Sequence, residues 1–356
     1  MLYVVGSLNV DLISYAPTFP RPGETVQGSF FQQSPGGKGA NQAAAAARLC
    51  GPNESTRMVG AVGDDALGKE YISPTGLFAS SGVLYDGVAV ISGATTGVAP
   101  ITVNSDGENC IVVIPGANQF LSETHVVSCL RGLSHSSSIL LQLEVNPAAT
   151  LAALKCAVAS GSTTFLTPAP VPSTGLGREF LELTSVLIPN ELEARMVAAQ
   201  GRKFEEQEGA RLSMAQVADC LFALGVKAVV ITLGAKGAFV YSRSDGSGTT
   251  AVEVHAPLLS GGAVDTTGAG DCFSGSLAYF YTFLKRGSQG TQLTTKRDTL
   301  QTANVDVGAL LEATRRAVFV AAMSVTRRGT QTSYFSRKDL PSCLFLPQRC
   351  ELPTTV

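Results

Sequence analysis

From about residue 120 the chain alternates short, largely apolar runs with segments of helical composition, and this alternation limits its possible folds more than any other feature. Apolar runs ending in polar or turn residues lie at 139–144, 164–167, 186–188 and 228–233. Helical segments lie at 148–159 and 214–224, and an apolar run at 277–284 is long enough for another. A strand that reads as a continuous apolar run is buried on both faces. Strands joined by helices form a parallel sheet with helices packed on each side. Residues 2–5 form a further strand of this kind, ending at Gly6. The expected fold class is α/β: a three-layer sandwich with a mostly parallel central sheet.

The first 120 residues add a different pattern. Between 18 and 33, Pro and Gly punctuate two short runs, 24–27 and 29–32, which read as antiparallel strands. Runs at 97–103 and 111–114 flank Ser105-Asp106-Gly107-Glu108, a hairpin turn. Segments 12–35 and 94–118 would then build a small β sheet apart from the main body, which takes 1–11, 36–93 and 119–340. Residues 286–304 are polar and read as a surface insertion, and 341–356 as a tail.

Composition narrows the function classes. With 356 residues, 45% of them hydrophobic, the chain can bury a large core, and a net charge of -2 leaves no basic footprint for nucleic acid. The longest apolar stretches contain Gly, Ser or charge, so no membrane span is expected. The N-terminus enters a strand with no basic flank or cleavage signature. Eight Cys without a CxxC pair, beside three His, give no metal-ligand spacing, and reduced thiols in the cytoplasm are expected.

Three glycine-rich stretches carry the chemistry. Residues 264–275 place Gly268, Ala269 and Gly270 before a helix, where first-turn amides without partners form an anion site. Asp271 at its mouth is either a helix N-cap or a base that takes a proton from an attacking hydroxyl. In 35–42, Gly36, Gly37 and Gly39 let a small ligand approach the backbone, with Lys38 and Asn41 able to reach it; the same glycines also suit a tightly packed helix entry. Asn9 and Asp11, two residues apart, share one face if the first strand continues, and otherwise form a turn. The run at 139–144 ends in the Glu144 carboxylate.

Taken together, Gly36 to Gln42, Pro189 to Glu193 and Asp265 to Asp271 resemble the ribokinase family of ATP-dependent carbohydrate kinases. Residues 6–11 are similar to that family's opening and 325–333 to its closing stretch, so the likeness spans residues 1 to 340. It implies a ribokinase-like sandwich whose small sheet is a lid and dimer clasp, giving a homodimer. It implies phosphorylation of D-ribose at O5 by ATP, or of a deoxysugar, ketohexose or nucleoside; a non-catalytic carbohydrate sensor is a further alternative. Asn9, Asp11, Gly37, Lys38, Gly39, Asn41 and Glu144 match sugar-binding positions, and Asp271 the base. The amides of Gly268 to Asp271 match the anion hole. Asn190, Glu193, Thr232, Gly234, Gly237 and Gly270 match the nucleotide side, Asn190 and Glu193 being linked to a magnesium shell. Asp265, with backbone oxygens around Thr267, Ser324, Arg327 and Gly329 and with Ser333 nearby, matches a potassium site. Val318 departs from the family, falling where a polar side chain stands near adenine, and 286–304 adjoins the nucleotide side. Cys272, after the base, is either a small helix residue or a redox-sensitive thiol.

Overall fold

The structure, a computed structural model, describes all residues except 77, 201–211, 245–247 and 289–301. The strands in chain order are β1 (Leu2–Val5), β2 (Asn9–Tyr15), β3 (Phe30–Gly36), β4 (Thr56–Gly63), β5 (Leu84–Ile91), β6 (Gly97–Val103) and β7 (Asn109–Ile111). They continue as β8 (Ser138–Leu141), β9 (Thr163–Leu166), β10 (Val186–Leu187), β11 (Ala228–Thr232), β12 (Gly237–Ser244) and β13 (Gly248–His255). The helices are α1 (Lys38–Leu49), α2 (Ala66–Tyr71), α3 (Glu123–Cys129), α4 (Pro147–Ala159) and α5 (Arg178–Glu182), followed by α6 (Glu191–Ala199), α7 (Met214–Ala223), α8 (Ala269–Ser288) and α9 (Val307–Ser324).

A nine-stranded sheet runs β13-β12-β11-β10-β9-β8-β1-β4-β5. From β5 to β11 every pair is parallel, and β12 and β13 close the edge as antiparallel strands. Alternation along β1 shows the sandwich: Leu2 and Val4 pack with α1, α8 and α9, while Tyr3 and Val5 pack with α3, α4, α6 and α7. A smaller sheet runs β3-β2-β6-β7, with β2 and β6 parallel and both outer pairs antiparallel.

Local sequence explains the helices that matter for the site. The alanine run at 43–47 favours helix and keeps α1 thin. A Cβ on Gly39 would lie 2.6 Å from the Gly6 backbone, and one on Gly275 would collide with the Gln42 carbonyl. Glycine at these two positions lets α1 lie directly against the end of β1 on one side and α8 on the other. The Asn190–Glu193 capping box starts α6.

Several expectations change. Residues 24–27 form no strand; β2 pairs with β3, which carries its ladder on to Gly36. The strand expected at 111–114 lies earlier, at Asn109–Ile111, and Ile114 returns only as a bridge to Val98. Of the proposed insertion, 286–288 are the last residues of α8, and 289–301 lie outside the described residues. The tail packs on the body: Leu344 is fully buried, and Leu258 and Thr355 form a parallel bridge. Within it Cys343 and Cys350 are joined by a disulfide, so the expectation of eight reduced thiols does not hold for this pair. Among the described residues no helix is long and apolar enough to cross a membrane.

Candidate active site

Parallel strands end together, and the loops leaving them converge at one edge. Ligands of open α/β sheets bind there, outside the carboxyl ends of the strands. The turn after β1 brings Ser7, the loop after β8 brings Glu144, and α1 and α8 begin there with Lys38 and Asp271. β2 adds Asn9 and Asp11 from the small sheet, so the site draws on both sheets.

Asp271 is the third residue of α8, and the Cys272 amide already bonds back to the Gly268 carbonyl at 2.8 Å. Its carboxylate does not cap the helix. One oxygen accepts from Asn41 Nδ2 at 3.0 Å, the other from Gln42 Nε2 at 2.9 Å. Burial raises its pKa, while the Lys38 charge and these two amides act in the opposite direction. The first turn leaves the Gly270 and Asp271 amides facing outward; that of Ala269 donates to the Thr266 carbonyl at 3.2 Å. Gly268 has φ 75, and a side chain there would strike Thr330 and Tyr334. The Tyr334 hydroxyl donates to the Gly268 carbonyl at 3.0 Å and so fixes the turn.

Glu144 is on the loop beyond β8 and not at a strand end as expected. Its Oε2 accepts from Ser7 Oγ at 2.6 Å and from the Lys38 amide at 2.9 Å, tying the turn after β1 to the start of α1. Burial alone would lower the Lys38 ammonium, but Asp271, Glu144 and Glu193 hold it above its ordinary value. Burial, with Glu144 and Asp271 nearby, pushes Asp11 up to about 7. The site therefore gathers more carboxylate than ammonium. Gly36 and Gly37 line it: a Cβ on Gly36 would overlap the Asp11 carboxyl, and one on Gly37, at φ 87, would lie 2.7 Å from the Asn9 amide. Asn9 is buried, with its Oδ1 held by Asn118 Nδ2 at 2.8 Å.

Where the sequence leads one to expect the nucleotide, β10 leads to Asn190 and β11 ends at Thr232, and the two residues form a parallel bridge. Asn190 Oδ1 accepts the Glu193 amide at 2.8 Å and Glu193 Oε2 accepts the Asn190 amide at 2.9 Å. Burial raises the Glu193 carboxyl, against the Asn190 amide and the Lys38 charge. Gly234 and Gly237 both take positive φ, and a Cβ at Gly234 would meet open space. Val318 is buried in the core against α8 and the sheet, so it is a packing residue.

The Asp265 carboxylate joins two loops. Oδ1 accepts the Thr267 amide and Oδ2 the Gly329 amide, both at 2.9 Å, and these bonds hold its pKa below the usual value against partial burial. Val264 and Asp265 both donate to the Val325 carbonyl. Ser324 and Ser333 turn their hydroxyls onto the Ala321 and Thr330 carbonyls, and Arg327 stacks 3.6 Å from the Phe335 ring centre. Among the described residues no three His, Cys, Asp or Glu side chains form a metal-binding group. Cys272 is buried, and burial pushes its thiol up to about 12, against a redox role.

The sequence alone assigned no site role to Ser7, Gln42, Asn118, Gln142, Gln331 or Tyr334. Each reaches the site by a long-range bond, and no local pattern marks such a bond.

Residues 1–337 match the pfkB family of carbohydrate kinases. The chain is 35% identical to a ribokinase of Mus musculus, covering 96% of this chain and 94% of that protein. It is 33% identical to a deoxyribokinase of Salmonella typhi, covering 96% and 98%. The solved structure of Arabidopsis thaliana ribokinase complexed with ribose and ATP superposes with a TM-score of 0.72 at 26% identity, covering 95% of this chain and 96% of that one.

Proposed function

The chain belongs to the pfkB family of carbohydrate kinases, and from that premise we propose that it transfers the γ-phosphoryl group of ATP to the 5-hydroxyl of D-ribose. The observation that carries this reading is the Asp271 carboxylate at the first turn of α8, beside Lys38 and close to Glu144. Asn41 and Gln42 hold both carboxylate oxygens and leave lone pairs for the proton of the attacking hydroxyl. The outward Gly270 and Asp271 amides meet the charge that builds on the transferred group, the main contribution a protein makes to phosphoryl transfer.

Lys38 donates to sugar oxygens, and Asp11, Asn9 and Glu144 accept from sugar hydroxyls, which suits a site with more carboxylate than ammonium. Gly37 and Gly39 let the sugar approach the backbone. Asn190, Glu193, Thr232, Gly234 and Gly237 line the ATP side. Asn190 and Glu193 already bond each other, so they would hold magnesium through its water shell. When bound, that ion neutralises charge on the phosphates. Asp265 and the carbonyls around Thr267, Ser324, Arg327 and Gly329, with Ser333 nearby, would hold potassium, and replacing sodium with potassium should then raise turnover.

The four-stranded sheet acts as a lid and as the contact of a homodimer, and the enzyme works in the cytoplasm. A deoxyribose substrate is the second reading, because deoxyribokinase relatives match at nearly the same identity. The test is ADP release from ATP with ribose, 2-deoxyribose, fructose and a nucleoside. Ribose should give the highest kcat/KM. A higher value for 2-deoxyribose would transfer the assignment to that sugar, and no turnover with any of them would leave a sensor.

A further inference from the structure

We infer that Gln42 and Gln142 are positioning residues for Asp271, the inner and outer links of a buried relay of side-chain amides that fixes its carboxylate in place. The inference rests on Asp271 being the base of the proposed transfer. Gln42 Nε2 donates to Asp271 Oδ1 at 2.9 Å, and Gln142 Nε2 donates to Gln42 Oε1 at 2.6 Å. On the other side Asn41 Nδ2 donates to Asp271 Oδ2 at 3.0 Å, and Gln331 Nε2 donates to Asn41 Oδ1 at 3.0 Å. None of the four amide residues is more than 6% exposed. They come from α1, from the loop after β8 and from the turn after α9, so three separate parts of the chain converge on one carboxylate.

The direction of every link follows from the base. An ionised carboxylate only accepts, so Gln42 and Asn41 must each present an NH2 group to it. Their carbonyls then point away, and each needs a donor of its own. Reversing either outer amide would set oxygen against oxygen. Each link polarises the next, which strengthens the bond that reaches the base.

A second observation separates this role from packing. Gln142 Oε1, at the far end of the relay, is buried and has no partner. An unmet buried acceptor destabilises, and methionine or leucine would fill the same volume without one. Glutamine at 142 makes physical sense if its donor is needed at Gln42. The surroundings agree: Gln42 is fully buried beside the alanine run of α1, where a polar side chain is otherwise unfavourable.

The experiment uses the full chain with Gln42→Met, Gln142→Met and the double variant. Each keeps side-chain length and removes the donor. Gln42→Met should lower kcat about tenfold and leave the ribose KM within about twofold. It should also move the acidic limb of the kcat profile upward by about one pH unit, because the carboxylate loses a charge-assisted bond. Gln142→Met should do the same to a smaller extent, about threefold, and should add nothing when Gln42 is already Met. Equal effects of Gln142→Met with and without Gln42, or a lower melting temperature with an unmoved pH limb, would overturn the relay. A measurement on the unaltered protein needs neither stable variants nor turnover. The NH2 protons of Gln42 and Gln142, followed by NMR, should shift with the titration of Asp271. Shifts without kinase activity on any sugar would keep the relay and reject the base; amide signals that ignore the titration would reject the relay.

Discussion

Asp271 ends the Asp265–Asp271 stretch inside the first turn of α8, with its charge raised in energy by burial and held by two amides. Asp271→Asn keeps the shape and removes the proton acceptor. Turnover should fall roughly 10²–10⁴-fold, the range for a lost general base, while ribose binding, read by calorimetry, changes far less. Turnover near that of the unaltered protein would reduce Asp271 to a structural residue. Asp11 makes a separate prediction. Its folded pKa, about 7, stands above the ordinary aspartate value of 3.8, so between these values the folded state binds more protons than the unfolded one. Its contribution to stability is full below pH 3.8 and is lost as pH rises through 7. Asp11→Asn should therefore raise the melting temperature relative to the unaltered chain more at pH 8 than at pH 4. An equal difference at both pH values would show that the carboxyl is not strained by its neighbours. Most residues proposed to face the substrate could be read from the sequence, because close backbone approach and a helix N-terminus need glycines in a recognisable order. The residues behind them could not: Gln142 and Gln331 lie 100 and 290 positions from their partners.

The parallel strands and α1, α4 and α7 could be read from apolar runs and helix-forming composition, since burial on both faces leaves few polar residues to blur the signal. The edges were harder. β5 and β13 are partly exposed, and their mixed sequences resemble loops. The tail was also missed, because the anchor is on another element. Arg316 of α9 is fully buried, bonded to Glu312 at 2.9 Å and to the Leu344 and Gln348 carbonyls at 2.7 and 2.9 Å, with the guanidinium over the Phe280 ring. One side chain thus ties α9 to α8 and to the tail. Arg316→Met leaves Glu312 and two carbonyls without their donor. Removing one partner of a buried pair costs about 3–5 kcal/mol, so urea unfolding should show a loss of that size. A loss below about 1 kcal/mol would place the tail's attachment in its apolar contacts, such as Leu344.

At the scale of the molecule, the small sheet has one face with a place in the core and one without. On β2, Leu12 packs against the main core, and Val98 of β6 does the same. The opposite face follows from the register. Asp11 stands beside Ser34 and Ala99, Ile13 beside Gln32 and Ile101, and Tyr15 beside Phe30 and Val103, while Ile101 pairs in turn with Ile111. Residues directly opposite in a ladder share a face, so Ile13, Tyr15, Phe30, Ile101, Val103 and Ile111 form one apolar surface. It is open to solvent at Phe30 and Ile111, which are 61% and 49% exposed. An exposed apolar patch of this kind marks an association site, and two copies meeting through the same face would form a closed, two-fold dimer. The same face ends at Asp11, so association there would also steady the residue proposed to hold the sugar. The protein should sediment at twice the mass of one chain. Ile101→Asp places a charge at the centre of the patch and should convert it to single chains. Loss of the dimer should raise the KM for ribose several-fold and leave that for ATP nearly unchanged, because the residues proposed for ATP, Asn190 and Thr232, follow β10 and β11 of the main sheet and not the small sheet. If the unaltered protein sediments as a single chain at micromolar concentration, the small sheet is a lid alone. If Ile101→Asp separates the chains with no change in ribose KM, the dimer face and the sugar site are independent.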